Sequence, residues 1–238
     1  ERRTLYELDH RRKAGANKLR WAMQVRNSVV GFYNYTVLLT YFGVVSAIAG
    51  IGLAMYDRTS MAIVCLMISG FCDLFDGSIA RTRQRTENEK KFGIQIDSLA
   101  EMICFGVLPV AIGYSVGMTK WFEFVVLALY VLAALIRLAY YNVTEDELQF
   151  CENTPRVYYD GLPVTTVALI LPLIYTLRPV MKSGFLALFS ATLLVTAAAY
   201  LLKVKIRKLG MKGMIAAAFC GLGVLALLIA GWNAIGAA

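Results

Sequence analysis

Long runs of apolar residues, separated by short polar segments, fill most of this 238-residue chain. Seven of these runs come close to the ~20 residues that a helix needs to cross the hydrocarbon core of a bilayer. They lie at about residues 35–56, 60–80, 94–118, 121–141, 162–180, 184–202 and 213–235. The pattern therefore predicts an all-α fold, a polytopic bundle of six to seven transmembrane helices.

Residues 1–33 differ from the rest because they are mostly polar and basic, with scattered apolar positions. This composition is typical of an amphipathic helix on the membrane surface, and a solvated tail is the alternative. No cleavable signal sequence is expected, since the chain opens on polar residues. No polar linker divides the later apolar runs, so we expect residues 34–238 to form one transmembrane domain.

The basic residues of the chain, whose net charge is +8, cluster beside the ends of the apolar runs. Attraction to anionic lipid headgroups accounts for this distribution, and nucleic acid is not an expected partner. With the N-terminus inside, 20 of the 24 Lys and Arg residues lie on the inner side, and four lie outside: Arg58, Lys120, Arg178 and Lys182. The positive-inside rule then predicts an integral protein of the cell membrane with this orientation.

Four carboxylates interrupt two of the apolar runs. Asp73 and Asp76 lie in the second run, and Asp97 and Glu101 lie in the third. An ionised carboxylate in or near a bilayer is costly, so it is normally paired, solvated in a cavity or bound to a cation. The orientation given above puts these four groups near the cytoplasmic face.

Helical spacing collects the four carboxylates into two stripes. Asp73 and Asp76 share one helix face at i, i+3, and Gly93, Asp97 and Glu101 share another at i, i+4, i+8. Two antiparallel helices joined by a short loop can bring these stripes together. Hard oxygen donors fit Mg²⁺, Mn²⁺ or Ca²⁺ better than zinc, and two divalent ions would roughly neutralise four carboxylates.

Small and basic residues beside the acids suggest a phosphate ligand. Gly77, Ala80 and Gly93 leave space next to the carboxylates, and Arg81 has a planar guanidinium suited to phosphate oxygens. A diphosphate held by two ions and an arginine is consistent with this set, with one carboxylate accepting the proton of an attacking hydroxyl.

Two other interpretations of the acids stay open at this point. In the first, the acids form structural salt bridges with the basic residues of the intervening segment: Arg81, Arg83, Arg85, Lys90 and Lys91. In the second, they line the ion path of a cation transporter, which also uses acids within the membrane.

At these positions the chain resembles the CDP-alcohol phosphatidyltransferase family. The motif of that family has two aspartates three residues apart, then glycine, alanine and arginine, then glycine and two further acids at intervals of four. Here the corresponding residues are Asp73, Asp76, Gly77, Ala80, Arg81, Gly93, Asp97 and Glu101. The resemblance covers about residues 34–175, and DSLAEMICFGVLP, RLAYYNV and YYDGLPV are most similar to the branch of the family that uses serine.

The resemblance implies a helical bundle, usually a homodimer, that transfers the phosphatidyl group of CDP-diacylglycerol to the hydroxyl of L-serine and releases CMP. It implies that Asp73, Asp76, Asp97 and Glu101 bind two Mg²⁺ or Mn²⁺ ions, with Ca²⁺ as a non-productive occupant, and that Glu101 is the general base. The positions that surround the CDP moiety in the family correspond to Gly77, Ala80, Arg81 and Gly93.

The acceptor side is less well defined. Arg137 and Asn142, at the inner end of the fourth run, are candidates for binding the acceptor, although a snorkelling arginine is an alternative for Arg137. Glycerol phosphate or inositol phosphate would need a second basic pocket, so an unphosphorylated acceptor is favoured. The following residues 143–161 are expected to form a lid, a short surface helix or a solvated loop.

The chain departs from the family motif at two points. Glu101 stands where the family has aspartate, and its extra methylene shifts the carboxylate by ~1.5 Å. Eleven residues separate Arg81 from Gly93, about three more than usual, which predicts a longer cytoplasmic turn and an intact site.

Overall fold

The apolar runs of the sequence form helices in the computed structural model. It describes residues 31–33, 35–80, 82–151, 158–181, 184–207 and 210–236. The predicted surface helix within residues 1–33 lies almost entirely outside the described residues. Residues 34–238 form one compact unit, although the boundary predicted at residue 34 stays a prediction.

The helices and strands follow each other in a simple order. They are α1 (Leu38–Met55, after a 3-10 turn at Tyr35–Val37), α2 (Thr59–Ala80), α3 (Glu87–Glu101), a π-helical segment (Met102–Val107), α4 (Leu108–Val116), α5 (Trp121–Cys151), β1 (Tyr158–Asp160), a 3-10 turn (Val164–Thr166), α6 (Val167–Tyr175), α7 (Arg178–Met181), α8 (Phe185–Leu201), β2 (Lys205–Arg207) and α9 (Met211–Gly236).

Five stretches of helix within the described residues are long and apolar enough to cross a membrane. They are Tyr35–Met55, Thr59–Ala80, Glu87–Val116, Trp121–Thr144 and Gly213–Ala230. Two shorter apolar helices, Val164–Tyr175 and Phe185–Leu201, correspond to the fifth and sixth predicted spans. The predicted all-α transmembrane bundle is confirmed.

Residues 143–151, for which the sequence leaves a lid, a short surface helix or a solvated loop open, are helical. Helix α5 continues without interruption to Cys151. This stretch, VTEDELQFC, contains no glycine or proline, so nothing in it stops a helix that is already formed.

Helices α1 and α2 pack closely because small residues line their contact. A Cβ atom added to Gly50 would lie 2.8 Å from the Cβ atom of Cys65. Serine hydroxyls also join the two helices: Ser69 donates to the carbonyl of Gly43 at 2.9 Å, and Ser46 donates to that of Cys65 at 3.1 Å. Such small-residue contacts and interhelical hydrogen bonds hold membrane helices together where no hydrophobic effect operates between them.

The buried core lies where α2, the π segment and α4 meet α5, α6 and α8. Its largest fully buried side chains include Tyr130, Phe105 and Phe189. The rings of Tyr130 and Tyr200 pack with their centroids 5.9 Å apart, which ties α5 to α8. The long helix that carries Asp97 and Glu101 is therefore held against the centre of the bundle.

A capping box starts α3. The Thr86 hydroxyl accepts the backbone N–H of Glu89 at 3.3 Å, and the Glu89 carboxylate accepts that of Thr86 at 2.8 Å. Both orphan donors of the first turn are satisfied in this way, so α3 begins at Glu87 and places Asp97 in its third turn.

A two-stranded antiparallel pair closes one end of the bundle. Strands β1 and β2 pair Tyr158 with Arg207 and Asp160 with Lys205. The chain then turns at Gly161, whose φ of 85° and close approach to the carbonyl of Tyr200, 3.0 Å from an added Cβ, both require glycine. Pro163 precedes the 3-10 turn that starts α6, as the Gly-Leu-Pro sequence predicts.

Helices α2 and α6 meet at Gly70, where an added Cβ would lie 2.5 Å from the Cβ of Ala168. We expect Gly70→Ala to push the two helices apart and to cost about 1–3 kcal/mol of stability. The matched control is Gly52→Ala on α1, where an added Cβ has no neighbour within 4 Å. Thermal unfolding in the same lipid or detergent checks this, and equal melting temperatures for both variants would contradict the close contact.

Candidate active site

Three aspartates form a compact group between α2 and α3. One carboxylate oxygen each from Asp73, Asp76 and Asp97 lies within 4.8 Å of the other two. The first two residues lie on α2 and the third on α3, so antiparallel packing of these helices brings together the two stripes predicted from spacing. Asp76 is buried, and the other two are half-buried.

Glu101 lies beside this group and not within it. Its carboxyl group is next to that of Asp73, and it is not among the three residues whose oxygens lie mutually within 4.8 Å. The guanidinium of Arg137 acts on it electrostatically from α5. Glu101 therefore stands between the aspartates and a buried cation.

Hydroxyl groups from two other elements hold the aspartates. The Thr40 hydroxyl on α1 donates to Asp76 Oδ2 at 3.0 Å, and Thr40 is buried. The Thr165 side chain, in the 3-10 turn before α6, lies next to Asp73 and interacts with its carboxyl group. Neither threonine was predicted as a site residue, because a threonine in an apolar run usually bonds its own helix and gives no distinct signal.

Space is left beside the acids at one of the predicted glycines. A Cβ atom added to Gly77 would meet nothing within 4 Å, so the region next to Asp76 is open. At Gly93 an added Cβ would lie 3.1 Å from Nη1 of Arg85, which reaches over α3. Ala80 ends α2, whereas Arg81, which directly follows it, lies outside the described residues.

The structural salt-bridge interpretation receives partial support. Arg83 pairs with Glu89 at 3.5 Å, away from the four acids. Arg85 does interact electrostatically with Asp97. Arg85 alone does not balance three aspartates that lie within 4.8 Å of one another. A cluster of this kind is better suited to a bound cation.

The candidate acceptor residues lie on α5, next to helix α3, which carries Asp97 and Glu101. Arg137 is 7% exposed, and among the described residues its Nε atom has no hydrogen-bond partner. Its guanidinium lies over the ring of Tyr141, 5.9 Å from the centroid. Asn142 Oδ1 accepts the Ser98 hydroxyl at 2.7 Å, one residue from Asp97. A buried Nε with no partner is expensive, so this position suits an anionic group of a ligand.

Two cavities meet at Asp73. A small one of about 10 Å³, lined by Thr40, Ser69, Asp76 and Glu101 among others, has room for about one water. A large one of about 530 Å³ runs between α2, α6 and α9 and is lined by apolar side chains, with Asp73 and Thr165 at its polar end. Its size is typical of a pocket for a small organic ligand.

The aspartate group fits a divalent cation of the Mg²⁺ or Mn²⁺ type. Its donors are all carboxylate oxygens, which these ions prefer. Two ligands of one Mg²⁺ bound at about 2.1 Å are at most about 4.2 Å apart, so the observed spread needs only a small closure. These features define the class of protein: a helical membrane protein with a cluster of aspartates beside an apolar cavity.

Comparison with known sequences gives the family. The CDP-alcohol phosphatidyltransferase model matches residues 33–232, which is most of the chain. The chain belongs to the CDP-alcohol phosphatidyltransferase family, as its motif predicts.

Individual relatives share one name, CDP-diacylglycerol–serine O-phosphatidyltransferase. The protein of Saccharomyces cerevisiae is 39% identical over 115 residues, which is 47% of this chain and 41% of the relative. That of Helicobacter pylori strain 26695 is 34% identical over 122 residues, 48% and 45% of the two chains. That of Bacillus subtilis is 24% identical over 147 residues, which is 60% of this chain and 77% of the relative. The chain thus spans less than half the length of the yeast and Helicobacter relatives.

The Thr40 hydroxyl is expected to hold Asp76 in the orientation that a cation needs. We predict that Thr40→Val weakens Mn²⁺ binding by roughly 10- to 100-fold, as is typical when a partner of a metal ligand is lost. Binding is measured directly from the electron paramagnetic resonance signal of free Mn²⁺.

The matched control is Thr192→Val on α8, because the Thr192 hydroxyl donates to Leu188 of its own helix at 2.8 Å. Unchanged Mn²⁺ affinity in the Thr40 variant would show that Asp76 needs no support from α1.

Proposed function

We propose that this chain is a CDP-diacylglycerol–serine O-phosphatidyltransferase. It transfers the phosphatidyl group of CDP-diacylglycerol to the hydroxyl of L-serine and releases CMP. The observation that carries this proposal is the meeting of a three-aspartate group with a large apolar cavity at Asp73. A liponucleotide has the matching shape, with a charged diphosphate joined to apolar chains. The family membership and the names of the relatives support the same substrate.

The two ends of CDP-diacylglycerol would occupy different surroundings. The acyl chains lie in the bilayer and extend along the apolar cavity between α2 and α9, whose walls include Phe71 and Leu222. The CDP moiety lies beside Gly77, where the backbone leaves open space, with Ala80, Arg81 and Gly93 around it. Asp73, Asp76 and Asp97 hold two divalent ions, Mg²⁺ or Mn²⁺. When bound, these ions offset the negative charge of the diphosphate and of the transition state.

The transfer itself is a displacement at phosphorus. The serine hydroxyl oxygen attacks the phosphorus that carries diacylglycerol, and the bond from this phosphorus to the bridging oxygen of the diphosphate breaks. CMP leaves with that oxygen. Glu101 accepts the hydroxyl proton, and its place beside Asp73 and outside the aspartate group leaves its carboxylate available for this role.

Arg137 would bind the carboxylate of serine. It is buried, its Nε atom has no partner in the described part of the chain, and its charge acts on Glu101, so an acceptor held by Arg137 has its hydroxyl close to the base. One guanidinium matches one carboxylate, whereas a phosphorylated acceptor carries more charge. Asn142 lies five residues further along α5 and is the second acceptor candidate. The cytoplasmic location of the site and the homodimer stay predictions.

Release of CMP from CDP-diacylglycerol by the purified protein, with Mn²⁺ or Mg²⁺ and with or without L-serine, tests the proposal. We expect release that needs both the metal and serine. Release that needs glycerol phosphate or inositol phosphate instead would keep the chemistry and change the acceptor. Absence of release together with absence of stabilisation by CDP in a thermal shift assay would favour the cation transporter.

The aspartate group is tested in the same assay. We expect Asp97→Asn to lower CMP release by more than about 100-fold, because it removes an anionic oxygen from the cation site. Glu87→Gln is the matched control, an exposed carboxylate in the first turn of the same helix. Near-normal release by the Asp97 variant would contradict the proposed metal site.

Arg137 is tested through acceptor preference. Arg137→Gln should lower kcat/KM for L-serine by roughly 10- to 100-fold, the usual effect of losing a charged hydrogen bond. It should affect L-serine methyl ester far less, because the ester has no carboxylate. Arg178→Gln, at the other end of the bundle, is the control. An equal loss with both acceptors would assign Arg137 a structural role.

A further inference from the structure

The inference concerns the wide turns that follow Glu101. The helix that begins at Glu87 changes to π-helical geometry at Met102–Val107, where the N–H of Leu108 donates to the carbonyl of Ile103, five residues back. Glu101 is the last residue before this segment. Turns of this kind inside α-helices are rare and occur frequently at functional sites.

Pro109 gives a physical reason for the wide turns. In a regular α-helix the carbonyl of Phe105 would accept the N–H of residue 109, but proline has none, and its ring clashes with the carbonyl four residues earlier. Widening the helix relieves this clash. Because Pro109 has no N–H, the Phe105 carbonyl lacks its usual backbone donor four residues ahead. This carbonyl lies in the middle of the bundle, where a buried acceptor needs a partner.

Tyr130 supplies the missing donor. Its hydroxyl donates to the carbonyl of Phe105 at 2.6 Å, and its side chain is completely buried. The Tyr130 and Tyr200 hydroxyl oxygens are 3.5 Å apart, and the Tyr200 hydroxyl donates to the carbonyl of Val164 at 3.0 Å. The two tyrosines thus connect the segment after Glu101 with the 3-10 turn that carries Thr165, the partner of Asp73.

We propose that Tyr130 is a positioning residue for Glu101. By donating to the Phe105 carbonyl, which lacks the N–H that residue 109 would supply, it holds the π segment and so the direction of the Glu101 carboxylate. This rests on the proposed function only where Glu101 acts as the base. The hydroxyl of Tyr130 does not touch the substrate in this proposal. Its effect on turnover passes through Glu101.

The first experiment needs no activity. Hydrogen–deuterium exchange of the full chain in nanodiscs is measured for Tyr130→Phe, which removes only the hydroxyl. We expect the amides of Met102–Val107 to exchange at least about ten times faster than in the unchanged protein. Tyr175→Phe is the control, because the Tyr175 hydroxyl bonds Ser60 at 3.1 Å and Arg178 at 3.0 Å, away from the π segment. Unchanged exchange in Met102–Val107 would overturn the proposal.

The second experiment separates positioning from general destabilisation. Tyr130→Phe should lower kcat for CMP release about ten-fold or more and leave Mn²⁺ affinity within two-fold, since the aspartates are not disturbed. In a Glu101→Gln variant, the additional Tyr130→Phe change should lower kcat by less than about two-fold. The effects of mutations at residues that act as a unit are not additive.

An equal effect of Tyr130→Phe in both backgrounds would overturn the positioning role. A Glu101→Gln variant with full activity would instead refute the proposed base and, with it, positioning through Glu101. If the unchanged protein released no CMP, the proposed function would fail, and the exchange measurement would still decide whether Tyr130 holds the π segment.

Discussion

Holding four carboxylates together inside an apolar bundle is the constraint on which this structure depends. Their mutual repulsion and their loss of water both oppose the folded state. The compensation comes from several elements at once: the Thr40 hydroxyl on α1, the Thr165 hydroxyl before α6, and the guanidinium groups of Arg85 and Arg137 on either side. A bound cation would complete it. The acids therefore need the helices in place, and the close helix contacts at Gly50 and Gly70 serve the site as much as the fold.

The site separates two kinds of surroundings. On one side, apolar walls from α2, α6 and α9 lead up to Asp73. On the other, Glu101 faces the buried Arg137. A molecule with a charged centre and apolar chains is matched by the first side, and a small charged acceptor by the second. The aspartates lie where the two sides meet. A bond between the molecule on the first side and the acceptor on the second would form at this point.

The arrangement of hydrophobic residues along the chain predicted the helical bundle. A helix forms all its backbone hydrogen bonds internally, so an apolar run of about 20 residues is enough to identify a membrane span. Helical spacing also predicted that Asp73, Asp76 and Asp97 would meet. The supporting hydroxyls of Thr40, Thr165 and Tyr130 were not predicted. Each lies in an apolar run, where a single hydroxyl does not change the pattern, and its partner is distant in sequence.

The change of helical geometry after Glu101 was not predicted either, although Pro109 is a visible signal for it. A proline in an apolar run indicates that a carbonyl four residues earlier loses its donor. It does not indicate which residue replaces the donor, since that depends on how α5 packs. At the end of α5 the sequence left a lid, a short surface helix and a solvated loop open, and without glycine or proline the helix continues to Cys151.

The large cavity is lined by side chains more than half of whose surface is exposed, among them Phe42, Phe71 and Leu222 at 58%, 52% and 56%, so it is open to its surroundings. A ligand can therefore enter it sideways, from the plane of the membrane, without passing through water. Its supply then depends on its mole fraction among the surrounding lipids and not on its bulk concentration. Added detergent would lower the mole fraction of the ligand in the membrane. Detergent tails of similar shape would also compete with the ligand for the large cavity.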